Sequence, residues 1–191
     1  MHIVLISASP RRKKILENAG LKFDIETVEI SEIIDKNLNV AEAVSQIATD
    51  KMRAFVASAA FLKYQDFLAV TADTTVAIDG RCLEKPQTEE QAAEFLRLLS
   101  GRTHRVYTGV CLYNTKTEVW THHCEESQVE FRVLTEKEIW DYIQTGSPMD
   151  KAGAYGIQDE SHNFIKEVRG SVNNVIGFPI EWFWAEYNQM L

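Results

Sequence analysis

Short apolar runs alternating with helix-start signals constrain this chain more than any other feature. Residues 2–7 form one such run and read as a buried first strand. Ser7-Ala8-Ser9-Pro10-Arg11-Arg12 breaks it, with Ser9 a good N-cap and Pro10 a good first helical residue. The helix that follows carries Ile15, Leu16 and Ala19 and stops at Gly20. The alternation then repeats. The pattern predicts a strand over Phe23–Ile30 and a long helix from about Val40 to Leu62. It predicts a buried strand over Phe67–Val70, with Thr75–Ile78 continuing extended to the Asp79-Gly80 turn. Thr88 with Gln91 makes a capping box for a helix through Leu99. Arg105–Tyr113 and Glu118–Val133 read as a hairpin around residues 114–117. Thr135 with Glu138 opens a helix that ends at Gly146, and Ser147–Asp159 reads as a loop. Asn163–Val168 is a strand and Ile180–Leu191 an amphipathic helix. With no repeat, linker or low-complexity tract, the expectation is one α/β or α+β domain over 1–191 with a central sheet.

The 191 residues are 45% hydrophobic and 25% charged, enough to bury a sizeable core without disulfide staples. No apolar run approaches the ~20 residues of a membrane span, and residues 1–7 lack the basic leader of a signal peptide. Cys82, Cys111 and Cys124 are odd in number and without CxxC spacing, which points to a reducing, cytoplasmic compartment. With 20 Lys and Arg against 28 Asp and Glu, the net charge is −8. A nucleic-acid partner is not expected, since such binders carry a basic footprint. A small anionic substrate requires positive charge concentrated locally.

That concentration exists. Arg11, Arg12, Lys13 and Lys14 occupy the first turns of a helix, the end whose dipole already favours anions. A phosphate there resolves the conflict; a solvated basic face is the alternative, and Lys13 and Lys14 read that way. Lys51 falls on the apolar stripe of Val40, Val44, Ile47, Phe55 and Leu62, so it either meets an anionic partner or snorkels at the stripe's edge. Thr71-Ala72-Asp73-Thr74 interrupts an apolar run, as a strand end facing a ligand or as a turn. Leu83-Glu84-Lys85-Pro86 is a charged pair after a short strand, weak evidence alone. Asp150 to Gln158 reads as a binding loop, with glycines permitting close approach. Arg169-Gly170-Ser171 through Pro179 fits either a second site edge or a plain loop. His122 and His123 are adjacent strand residues facing opposite sides, which argues against a shared metal ion.

Taken together, SASPRR, the lysine of ATDKMRA, TADTTV, LEKP, LSGRTH with TGV, DKAGAYGIQ and GSVNNVIGFP strongly resemble the Maf family of nucleoside triphosphate pyrophosphatases. The resemblance runs from Ser7 to Pro179. It implies a fold similar to the inosine triphosphatase group, a curved mixed sheet flanked by helices with a deep cleft. It implies hydrolysis of a nucleoside triphosphate to the monophosphate and pyrophosphate, dependent on Mg²⁺ or Mn²⁺. By the same resemblance, Asp73 matches the catalytic carboxylate, and Ser7, Arg11, Lys51 and Lys85 contact phosphates, the two lysines counting with Asp73 as catalytic. Glu32 and Asp150 match acidic positions near the metal, together with Asp73. Arg12, Thr74 and Gln158 match positions that sort substrates, and this combination resembles the dTTP/UTP subgroup. Asp159 and Val172 depart from the family pattern, which often has glycine and an aromatic there. The family resemblance also brings a homodimer, clearance of modified nucleotides, and the alternative of a nucleotide-binding regulator of cell division.

Overall fold

The computed structural model describes residues 1–31, 37–159 and 163–190. Its elements are β1 (His2–Ile6), α1 (Pro10–Asn18), β2 (Phe23–Glu26), α2 (Val40–Val56), β3 (Phe67–Ile78), β4 (Arg81–Leu83), α3 (Glu89–Leu99), β5 (Thr103–Asn114), β6 (Val119–Phe131), α4 (Glu136–Ile143), β7 (Ile165–Arg169), α5 (Val172–Ile176) and α6 (Ile180–Gln189). The seven strands follow the order β2-β1-β3-β5-β6-β7, with β4 paired to β3. The sheet is mixed: β1 runs parallel to β2 and β3, while β3/β4 and β6/β7 are antiparallel. The α/β class expected from the alternation is therefore observed.

Contacts divide the chain into two compact units. The first comprises Met1–Asp73, Thr108–Glu125 and Gly177–Leu191; the second comprises Thr74–Tyr107 and Glu126–Ile176. In the first unit, Val4, Ile6 and Ala69 bury against Ala48, Met52 and Phe55 of α2. The approach is close. A Cβ on Gly109 of β5 would lie 2.6 Å from the Val44 carbonyl oxygen, so only glycine lets α2 sit there. In the second unit, α3 and α4 contribute Leu96, Ile139 and Tyr142 to a core with Val129, Phe131, Tyr155 and Phe164.

Four boundaries differ from the sequence reading. Helix α2 ends at Val56 rather than Leu62, and Leu62 is 82% exposed. The Ser58 hydroxyl takes the Phe55 carbonyl at 2.7 Å and helps to close the chain after the helix. Strand β3 runs unbroken through Thr71-Ala72-Asp73-Thr74 inside the sheet, and the buried Thr71 hydroxyl is satisfied by the Ala48 carbonyl at 2.6 Å. Strand β2 stops at Glu26, short of Ile30. Residues 170–179 hold a helical turn, α5, that is pinned rather than open. The fully buried Asn174 donates to the Val106 carbonyl at 3.1 Å and to Ser127 Oγ at 2.9 Å.

His104, 2% exposed, stacks edge-on against Phe131 and Tyr155, with Nε2 2.7 Å from the Tyr155 hydroxyl. Burial pushes its imidazole down to about 3. Between there and the ordinary value near 6.5, the unfolded chain takes up a proton that the folded chain refuses. Stability from this group is thus complete above about pH 6.5 and falls as the pH drops toward 3. At about 1.4 kcal/mol per pH unit, urea unfolding at pH 7.5 and 5.0 should differ by about 2 kcal/mol through His104. His104→Gln should lose that part of the pH dependence; an unchanged dependence would show that the imidazole titrates freely.

Candidate functional site

The first unit brings five of the predicted residues to one end of its parallel strands. Ile6 of β1 pairs with Thr71 of β3, so Ser7 and Asp73 lie just past the last rung of that pairing. Ligands of α/β sheets collect at such carboxyl ends. Ser7 is held by its amide, which donates to the Glu26 carbonyl at 2.9 Å. Its hydroxyl accepts from the Ser9 amide at 3.1 Å and from Arg12 Nη1 at 3.4 Å. Ser9 caps α1 as expected, its hydroxyl accepting from the Arg12 amide. No acidic residue sits in that first turn, so the helix dipole and the cations there are not offset by a local carboxylate.

Arg11 and Arg12 have different surroundings. Arg11 is half-buried. Arg12 is 9% exposed and its Nε donates to the Gly177 carbonyl at 2.9 Å, which ties α1 to the segment before α6. Lys13 and Lys14 are exposed, as the solvated-face reading holds.

Lys51 meets an anion rather than snorkelling. Its Nζ lies 2.7 Å from Asp73 Oδ1, and the two side chains are 12% and 15% exposed. The same Nζ lies 3.5 Å from the Ala72 carbonyl. The local fold explains the pair. Thr71 faces α2 and bonds to Ala48. Asp73 is two residues further along the strand, on the same face. Lys51 is three residues further along the helix, one turn on.

His122 and His123 diverge as adjacent strand residues should. His122 Nδ1 lies 3.2 Å from the Thr49 hydroxyl, while His123 stacks on Trp182 with ring centroids 4.4 Å apart. Among the described residues no group of three or more His, Cys, Asp and Glu is placed to hold a metal ion.

The remaining candidates belong to the second unit, except Glu32, which lies outside the described residues. Thr74 is half-buried, and Lys85 is exposed. Asp150 is 61% exposed, with Oδ1 2.8 Å from Lys151 Nζ. Gln158 is exposed in a tight turn closed by the Asp159 amide, which donates to the Gly156 carbonyl at 3.2 Å. The segment expected as loop contains two 3₁₀ turns, Ser147–Asp150 and Ala152–Ala154. Sequence reasoning missed Tyr142, whose hydroxyl donates to the Asp159 carboxylate. Nothing in a helix-face pattern distinguishes such a tyrosine from an ordinary core residue.

The family model for Maf-like proteins matches residues 2–190. The chain belongs to the Maf family. A dTTP/UTP pyrophosphatase of Bdellovibrio bacteriovorus is 44% identical to this Maf protein over 179 residues, covering 94% of this chain and 93% of the other. Proteins of the same name from Bacillus pumilus and Clostridioides difficile are each 41% identical, covering 93% and 94% of this chain and 90% of their own. Among solved structures, the Ham1 protein of Staphylococcus aureus superposes with a TM-score of 0.52 at 11% identity, over the whole of both chains. That likeness is one of fold, and it agrees with the mixed sheet flanked by helices that the resemblance implied.

The buried Lys51–Asp73 pair has a consequence for stability. Removing Lys51 leaves the Asp73 carboxylate charged and largely buried without that counter-charge. Lys51→Met should therefore destabilise the protein by about 1–3 kcal/mol, and Lys51→Met with Asp73→Leu should recover most of it. Urea denaturation of both variants checks this, and additive losses would mean that the pair is not coupled.

Proposed function

We propose that this Maf protein is a nucleoside triphosphate pyrophosphatase that hydrolyses dTTP and UTP to the monophosphate and pyrophosphate. The observation that carries the reading is the Lys51–Asp73 pair at the carboxyl end of β1, beside a helix start bearing Arg11 and Arg12. Its support is that relatives sharing about two-fifths of the sequence are named for that activity. Family coverage of 2–190 likewise supports one functional domain over the whole chain.

In this reading, water attacks the α-phosphorus and gives its proton to the Asp73 carboxylate. The bond from the α-phosphorus to the oxygen bridging toward the β-phosphate breaks, and that oxygen leaves with pyrophosphate. Lys51 holds the carboxylate in place, and an ammonium group with three donors can serve Asp73 and a phosphate oxygen together. Arg11, Ser7 and Lys85 neutralise and orient the triphosphate. Arg12, Thr74 and Gln158 select the base, and a glutamine amide, which donates and accepts, can match O4 and N3–H of uracil or thymine.

The donor chemistry fits Mg²⁺ or Mn²⁺. Asp73 and Asp150 offer hard oxygens, and Mg²⁺ is usually held by one or two carboxylates plus substrate phosphates and water, so a dedicated protein cage is not required. By the family resemblance, Asp73, Asp150 and Glu32 are each proposed as a ligand to it. When bound, the ion supplies charge neutralisation at the phosphoryl oxygens. A reducing cytoplasmic setting is consistent with free Cys82, Cys111 and Cys124, and no helix among the described residues is long and apolar enough to cross a membrane. A homodimer and a role against modified nucleotides belong to the same reading.

A panel of nucleotides with Mg²⁺ or Mn²⁺, reading pyrophosphate against orthophosphate, tests the proposal. Pyrophosphate from dTTP and UTP is the expected product, abolished by EDTA. Asp73→Asn should lower kcat at least ~100-fold, the scale of general-base catalysis, with the fold intact. Nucleotide binding without turnover would favour the regulator instead.

A further inference from the structure

In the second unit a set of polar contacts surrounds the turn that carries Gln158. Asp159 closes this turn onto Gly156, leaving Ile157 and Gln158 as its two central residues. Both ends of the turn meet one hydroxyl. The Gly156 amide donates to Tyr142 Oη at 3.1 Å, and that hydroxyl donates to Asp159 Oδ2. Tyr142 belongs to α4 and is 1% exposed, with its ring edge-on to Phe164 at 5.0 Å. The Asp159 carboxylate also accepts from Ser147 Oγ at 2.9 Å. Gly156 fits because its neighbours fill the space a side chain would take: a Cβ there would lie 2.7 Å from Lys151 Cε and 3.1 Å from Asp159 Oδ2.

We propose that the Tyr142 hydroxyl and the Asp159 carboxylate are positioning groups that aim Gln158, and through it set selectivity for the uracil and thymine edge. The inference rests on the reading of Gln158 as a base-selecting residue. The physical argument is rigidity. A two-residue turn tip pinned at both ends to the buried Tyr142 of α4 has little freedom, so an exposed amide at that tip can present one donor-acceptor pattern without first being ordered. Burial, and then the bond to Asp159, push the Tyr142 phenol above its ordinary range, so the hydroxyl keeps its proton and the tie holds through neutral pH.

Tyr142→Phe removes the hydroxyl and keeps the ring on Phe164. It should raise KM for dTTP and UTP roughly tenfold with kcat little changed, the pattern of a lost binding interaction. The preference for UTP over CTP should fall by a similar factor. Asp159→Ala should behave alike, and Asp159→Asn, which keeps an acceptor for the hydroxyl, should restore most of the preference. Hydrogen exchange supplies a readout apart from activity: amides 157–159 should exchange faster in Tyr142→Phe than in the parent protein. In a Gln158→Ala background, Tyr142→Phe should cost no further preference. The inference is overturned if Tyr142→Phe keeps the parent preference while Gln158→Ala loses it, or if exchange at 157–159 is unchanged. If Gln158→Ala itself keeps the preference, the base reading of Gln158 fails and the positioning role falls with it.

Discussion

Pairing β1 with β3 in parallel buries both strands on both faces, and most of what surrounds them follows from that burial. Ile3, Val4, Leu5 and Ile6 are at most 1% exposed, and Leu68, Ala69 and Val70 are fully covered. Parallel strands of this kind need cover on each side, so their sequences read as continuous apolar runs rather than alternating ones. Where the run reaches its polar end, buried polar groups call for partners. Thr71 finds a helix carbonyl, and Asp73 finds Lys51. The candidate site thus lies where a buried sheet stops being able to remain apolar.

The same logic governs charge. A chain at −8 can attract a triphosphate only through local excess, and the α1 start supplies it with two arginines and no acid in the first turn. The helix would be better off without those cations, since its dipole opposes them. Arg12 shows one way such a residue is retained: its guanidinium is bonded to Ser7 and to the Gly177 carbonyl. Part of what looks in sequence like an anion hook also ties α1 to Ser7 and to the segment before α6.

Strand and helix identities were legible because their signals are local. Ser9, Thr88 and Thr135 all cap the helices they open, and the hairpin of β5 and β6 lies where alternation placed it. The errors lie where a distant group decides. Thr71-Ala72-Asp73-Thr74 reads as a break because Ala72 and Asp73 are poor strand formers, yet β3 continues in the sheet, with Thr71 bonded to Ala48 and Asp73 to Lys51. Leu62 fits the stripe of α2 by spacing, yet the chain leaves the helix at Val56 and the leucine faces solvent. Asn174 reads as part of a loop because its partners, Val106 and Ser127, are far away in sequence. Of the site, residue types were readable; which of them the fold joins was not, and Tyr142 carried no signal at all.

Two lysines show why burial alone does not mark function. Lys51 and Lys151 are 12% and 13% exposed, and each lies against an aspartate. An ammonium group has three donors. Those of Lys151 reach the Ser147 carbonyl at 2.5 Å, the Ser147 hydroxyl at 2.9 Å and Asp150 at 2.8 Å, all within four residues of itself. Its charge is absorbed by the loop it stabilises, and a phosphate could recruit it only by dismantling that loop. Lys51 instead spans from α2 to β3, onto a carboxylate at the strand end beside which α1 begins. Removing Lys151 would loosen a loop; removing Lys51 would strip the counter-charge from the one carboxylate on which the hydrolytic reading depends. The distinction lies in where the donors go, and that is a property of the fold that no count of basic residues contains.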